Sequence, residues 1–167
     1  VVERLAKDYA LTLFFYNPNI TDEEEYRTRI AAQTQYLQCY NRDCGADDTV
    51  QWKEGPYEPA CFFEAVKGLE SEPEGGARCE KCFALRLAKT ADEALRNGFP
   101  CFGTTLSVSP HKDYRLICEI GSRLAAERGL TFLEEDFKKK GGFQRSIELS
   151  KQYGLYRQKY CGCEYSK

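Results

Sequence analysis

The chain has 167 residues, about the length of one domain, and its 42% hydrophobic and 30% charged residues are the balance of a soluble globule. It holds no apolar run of roughly eighteen residues, which excludes an ordinary membrane-spanning helix. Its net charge of −2 excludes a global pull toward nucleic acid.

Residues 1–7 read as the tail of a helix with no start signal before it, which suggests that upstream sequence is missing. The short apolar run 11–16 has strand character and stops at the turn signal Asn17-Pro18-Asn19. Thr21 and Glu24 fit a capping box with Ile20 before it, predicting a polar helix to about residue 39. Residues 49–52 read as a second strand, 60–69 as a short helix and 71–77 as an exposed loop. Phe83, Ala84, Leu87, Ala88, Ala91, Ala94 and Leu95 recur at helical spacing, and Gly98 closes that helix. Residues 99–106 read as a buried strand. Ser109 with Pro110 behind it resembles an N-cap followed by Pro at the first helical position, with the helix ending at Gly129. Residues 130–133 form another strand, and Gly141-Gly142 opens a last helix to about residue 153.

Helices alternating with strands predict an α/β fold with a mainly parallel sheet covered on both faces. Ligands in such folds bind beyond the carboxyl ends of the strands, here segments 16–20, 104–110 and 134–142.

The nine cysteines are an odd count, and the mixed, charged residues 1–9 do not read as an export signal. A reducing, cytoplasmic setting with metal or redox chemistry is therefore expected over a disulfide framework. Cys79 and Cys82, in a CxxC spacing at the start of a helix, lie where partial positive charge favours thiolates. Cys161-Gly162-Cys163 is tighter still, with a glycine that lets the backbone bend around an ion. Together the four sulfurs suffice for a tetrahedral zinc staple or for an iron–sulfur centre, and ligand softness does not separate the two. A reversible disulfide at Cys79 and Cys82 is a third reading. Cys61 is a less persuasive ligand; Cys101 and Cys118 read as core thiols, Cys39 and Cys44 as exposed or half-buried thiols or a secondary pair, and His111 as a surface residue.

Charge is unevenly spread. Residues 19–76 carry thirteen acidic and five basic residues, and 137–167 carry eight basic and two acidic ones. Lys138, Lys139, Lys140 and Arg145 belong to the basic part, which is either a solvated face or a patch that steers a polyanion. Asp136 ends a strand at the expected binding edge, as a proton donor or a turn cap. Tyr16 offers an aromatic face to a flipped-out base, or packs in the core.

Several stretches together resemble one family: Tyr16-Asn17-Pro18-Asn19-Ile20 with Glu25, Tyr26 and Arg29; Arg78-Cys79-Glu80-Lys81-Cys82-Phe83; the run from Thr104 to Lys112; Asp136-Phe137-Lys138-Lys139 with Gly141-Gly142; and Tyr156-Arg157-Gln158-Lys159-Tyr160-Cys161-Gly162-Cys163. In order and over nearly the whole chain they are similar to QueH, the epoxyqueuosine reductases. The resemblance implies a HUP-like (Rossmann-like) three-layer α/β/α fold. It implies reductive removal of the epoxide oxygen of epoxyqueuosine in tRNA, the last step of queuosine synthesis, with an external electron donor. It also implies a [4Fe–4S] cluster and a nearby mononuclear iron, with Cys79, Cys82, Cys161 and Cys163 as ligands. The family's opening strand and its paired-cysteine motif have no counterpart before Leu11. The expectation is a single α/β metalloenzyme domain over 1–167 that lacks its N-terminal strand, with a non-enzymatic, zinc-stapled RNA- or protein-binding module as the alternative.

Overall fold

In a computed structural model, which describes residues 1–166, the chain runs α1 (Val2–Leu5), β1 (Thr12–Phe15), α2 (Glu23–Asp43), β2 (Gln51–Glu54), α3 (Pro59–Ala65), α4 (Ala77–Arg96), β3 (Cys101–Phe102), α5 (Tyr114–Arg128), β4 (Thr131–Phe132) and α6 (Gly142–Gln152). The class is mixed α/β, as the alternation predicts. The strands pair in parallel, but among the described residues they form two separate pairs. β1 aligns with β2 from Thr12 opposite Gln51 to Phe15 opposite Glu54, and β3 aligns with β4 through Cys101–Thr131 and Phe102–Phe132.

The larger core lies where α4 and α5 pack on each other and on β3 and β4. Phe83, Leu87, Ala91 and Ala94 form one buried stripe of α4 and meet Ile117, Ile120 and Leu124 of α5, with Phe102 and Phe132 between. The Phe, Leu and Ile side chains among them each contribute about 1.5–3 kcal/mol when fully buried. Gly121 makes the contact possible, because a Cβ there would lie 2.6 Å from the Phe132 ring. A second core joins Val2 and Ala6 to Leu37 of α2 and Val50 before β2. A third, under α3, joins Phe62 and Val66 to Cys82 and Cys163.

Several boundaries differ from the sequence reading. The N-cap of α2 is Asp22, one residue after Thr21; its carboxylate accepts from the Glu24 and Glu25 N–H groups at 3.0 and 3.1 Å. α2 also runs on to Asp43, and β2 begins at Gln51. The buried strand expected over 99–106 shrinks to Cys101–Phe102, followed by a 3-10 turn at Leu106–Val108. Ser109 caps no helix: its hydroxyl accepts only from the His111 N–H, at 3.3 Å. Asp113 is the N-cap of α5 instead, accepting from Arg115 and Leu116 at 2.9 and 3.2 Å. A carboxylate satisfies two of the orphan N–H groups and suits the positive end of the helix better than a hydroxyl. Gly129 ends α5 in the left-handed region, at φ +66, as expected.

No helix among the described residues is long and apolar enough to cross a membrane.

Candidate functional site

α4 begins at Ala77, with Gly76 as its N-cap, so Cys79 and Cys82 occupy its first turns, and both are buried. The Gly75 N–H donates to the Cys79 sulfur at 3.2 Å. The helix start supplies further unpaired N–H groups and partial positive charge. Burial pushes the Cys82 thiol up, and the nearby Arg86 guanidinium works the other way.

The segment with Cys161 and Cys163 is held by its backbone. Asn19 Nδ2 and Arg29 Nη1 both donate to the Cys161 carbonyl, at 3.0 and 3.1 Å, and Arg29 Nη2 donates to the Tyr160 carbonyl at 2.9 Å. The Arg29 guanidinium also stands 5.5 Å from the centre of the Tyr160 ring. Gly162 takes φ +100 against Ile20, where a Cβ would fall 2.7 Å from Cγ1. Only glycine fits this conformation and this approach.

The two sulfurs of this segment differ. The Cys163 thiol donates to Cys161, and the Ser166 hydroxyl and the Lys112 ammonium add to it, drawing the Cys161 pKa down to about 5. The Cys161 sulfur lies 3.0 Å from Ser166 Oγ. Cys163 goes the opposite way, because it gives up that hydrogen bond on ionising and is buried. Burial works against the Lys112 ammonium, but the Glu74 carboxylate and the Cys161 sulfur outweigh it, and its pKa rises.

All four cysteines line one small cleft, a cavity of about 20 Å³. Arg78, Arg86 and Lys112 line it too, so three cations surround four sulfurs. Asn19 Oδ1, also in its wall, is buried without a hydrogen-bond partner among the described residues. Among the described residues, no three His, Cys, Asp or Glu side chains already converge as they would around one ion. This donor set fits an anionic, thiolate-bound iron–sulfur group: soft ligands on two segments, a helix N-terminus beneath one pair, and a cationic rim.

The other candidates lie outside this lining. Asp136 follows β4 on a turn pinned to the 3-10 turn at Leu106–Val108, where Ser107 Oγ donates to the Glu135 carbonyl at 2.9 Å. Its side chain is 9% exposed and Oδ1 has no hydrogen-bond partner, with the Lys138 and Lys139 ammoniums at 3.8 and 3.6 Å. Lys138 also stands 5.9 Å from the centre of the Tyr114 ring, two residues beyond Lys112 of the cleft. Lys139 and Lys140 are exposed. Arg145 is engaged by Glu3, at 2.8 Å, and by Glu148, at 3.5 Å. Tyr16 is 5% exposed; it donates to Glu58 at 3.0 Å and lies stacked beside Phe14 with the Lys89 ammonium 5.2 Å from its ring. His111 is exposed, and Cys39, Cys44, Cys101 and Cys118 are half-buried, away from the cleft. Sequence reasoning gave no role to Asn19, Arg29, Arg78, Arg86 or Lys112. For Arg78 the adjacent cysteine was a signal, and for Arg86 its place one turn after Cys82 on α4; for Asn19, Arg29 and Lys112 the contact is tertiary.

Residues 1–167 match the family model described as epoxyqueuosine reductase QueH. The chain belongs to the QueH family. It is 40% identical over 165 residues to epoxyqueuosine reductase QueH of Streptococcus pyogenes serotype M1, covering 99% of this chain and 64% of that protein. The protein of the same name from Staphylococcus epidermidis is 39% identical over 167 residues, 99% of this chain and 69% of that protein. That of Thermotoga maritima is 36% identical over 155 residues, 92% of this chain and 77% of that protein. The chain therefore spans about two thirds of the length of the first two relatives.

Proposed function

We propose that this chain reduces epoxyqueuosine in tRNA to queuosine, the last step of queuosine synthesis, at an iron–sulfur centre held by Cys79, Cys82, Cys161 and Cys163. One observation carries the reading: two cysteine pairs from remote segments line a single cationic cleft in a chain of the QueH family. Opening the epoxide to an alkene and water consumes two electrons and two protons. Bound there, a [4Fe–4S] cluster supplies electrons one at a time from an external donor, and an additional mononuclear iron supplies a Lewis acid for the epoxide oxygen.

The chain's own residues do the rest. Arg78, Arg86, Lys112 and the start of α4 offset the charge of the thiolates, with Cys161 already inclined to ionise. Asp136 is assigned the proton for the departing oxygen, supported by the burial of its side chain and its place just after β4. Lys138, Lys139, Lys140 and Arg145 are assigned to tRNA phosphates, which fix position and not sequence. Tyr16 would have to leave its place beside Phe14 to stack on a base. In this reading the two parallel strand pairs and their helices belong to a HUP-like, three-layer α/β/α fold, and the protein works on tRNA in the cytoplasm.

The test is anaerobic reconstitution of the full gene product, with iron, sulfide and zinc quantified and turnover followed on epoxyqueuosine-containing tRNA with a low-potential reductant. Iron and sulfide in the protein, visible absorption and conversion to queuosine are expected, and Cys79→Ala abolishes iron loading. Stoichiometric zinc with no iron after reconstitution overturns the reading. Full loading of Cys79→Ala removes that residue from the ligand set.

A further inference from the structure

Arg78 is 2% exposed and sits in the wall of the cysteine cleft, immediately before Cys79. Its guanidinium donates to the carbonyls of Leu69 at 3.4 Å, Glu70 at 2.9 Å and Tyr165 at 3.4 Å, and to that of Glu72. It also stands 5.4 Å from the centre of the Tyr165 ring. Every one of these partners is formally neutral. Among the described residues no carboxylate forms an ion pair with Arg78; the Glu74 carboxylate, which feels its charge, is paired with Lys112. The other cations near the site are different. Arg29 is answered by Glu25 at 2.7 Å and Lys112 by Glu74 at 2.8 Å, while Arg86 is only half-buried.

A buried charge without a counter-charge is costly. Carbonyl dipoles solvate the Arg78 cation but do not neutralise it. The group that would neutralise it is the anionic one that the adjacent sulfurs are built to hold. The same guanidinium reaches across from α4 to a carbonyl two residues beyond Cys163. It thereby ties the chain before Cys79 to the chain after Cys163.

We propose that Arg78 is the standing counter-charge of the thiolate-bound centre and the clamp that holds the two cysteine pairs around it. This rests on the iron–sulfur reading of the cleft given above. Arg78 touches no substrate in this role; it is a positioning residue. Reduction adds an electron to a group that is already negative, and a fixed, buried cation beside it stabilises the reduced form. Arg29 supplies the contrast. It positions the Cys161 loop through the same kind of carbonyl contacts, but Glu25 already neutralises it.

The experiment is a potentiometric titration of the reconstituted full gene product with dithionite, followed by electron paramagnetic resonance, on the wild type, Arg78→Gln, Arg78→Lys and Arg29→Lys. Arg78→Gln is expected to disfavour the reduced form at least tenfold, a midpoint about 59 mV more negative for one electron. Arg78→Lys keeps the charge without the planar fork and is expected to recover at least half of that shift at reduced iron content. Arg29→Lys is expected to lower iron content with the midpoint unchanged. A loaded Arg78→Gln protein with the wild-type midpoint overturns the proposal. Should Arg78→Gln take up no iron, Arg78→Lys decides: loading near the wild-type midpoint supports the counter-charge, and failure to load overturns it. Absence of iron from the wild type would instead sink the reading of the site itself, in the unaltered protein.

Discussion

Cys161 and Cys163 are the same residue two positions apart, yet they take opposite protonation tendencies, because one accepts what the other donates. Gly162 between them holds φ +100 and leaves no room for a Cβ beside Ile20. Both facts concern local geometry, and the Cys-Gly-Cys spacing announced that geometry in the sequence. The same holds for Cys79 and Cys82, whose spacing at a helix start was visible without a structure. Asp136 is a different kind of residue. It was singled out by its place after a strand, and the structure adds burial and an oxygen with no hydrogen-bond partner. If it delivers a proton to the departing oxygen, Asp136→Asn lowers kcat by about 100-fold, within the usual worth of a positioned acid. Iron content and affinity for tRNA stay at wild-type levels in that variant. Single-turnover assays on reconstituted protein check this, and a kcat within twofold of wild type removes Asp136 from the mechanism. Asn19, Arg29 and Lys112 were not legible as site residues. Each reaches the cysteines from a segment far away in sequence, and nothing in a local pattern encodes where a long polar side chain will end.

Elements show where local chemistry misleads. Ser109-Pro110 has the look of a helix start, and Thr21 with Glu24 the look of a capping box, but the helices begin at aspartates. In both cases the carboxylate takes two N–H groups where the hydroxyl would take one. The long strand read over 99–106 is two residues of strand and then a 3-10 turn, because its pairing partner β4 is equally short. Apolar composition records burial, and burial does not by itself specify strand. The joint between the two parallel pairs is also tertiary. Glu93 of α4 is 9% exposed and pairs with Lys53 of β2, with Arg96 at 2.6 Å and with Asn97 Nδ2 at 2.7 Å. The Lys53 ammonium is the main reason that the Glu93 carboxyl lies below the ordinary value of 4.5. A carboxyl lowered in the folded state stabilises fully above 4.5 and loses that contribution as pH falls through its folded value. Glu93→Gln is therefore expected to cost about 1–3 kcal/mol near neutral pH. The gap to wild type should close on acidification below the folded value. Urea unfolding of both proteins across that range checks it, and a gap that is constant with pH contradicts the assignment.

Over the whole molecule, the acidic stretch 19–76 spends much of its charge internally. Glu25, Glu58 and Glu74 are matched to Arg29, Lys89 and Lys112. In the basic stretch Arg145 is likewise matched, to Glu3 and Glu148, whereas Lys139 and Lys140 are exposed. If tRNA phosphates lie on this face, the double variant Lys139→Ala with Lys140→Ala reduces the log–log salt slope of tRNA affinity by about 1–2. Arg145→Ala changes the slope less, because its charge is already answered. Filter binding over a salt series measures both, and equal slopes in wild type and double variant place the tRNA elsewhere. One further consequence follows from the two-segment cleft. Ribosomes make Cys79 and Cys82 well before Cys161 and Cys163, by roughly 4–16 s at bacterial-like elongation rates. If the four cysteines hold iron as proposed, the site is complete only after synthesis, when Arg29 and Asn19 hold the Cys161 segment in place.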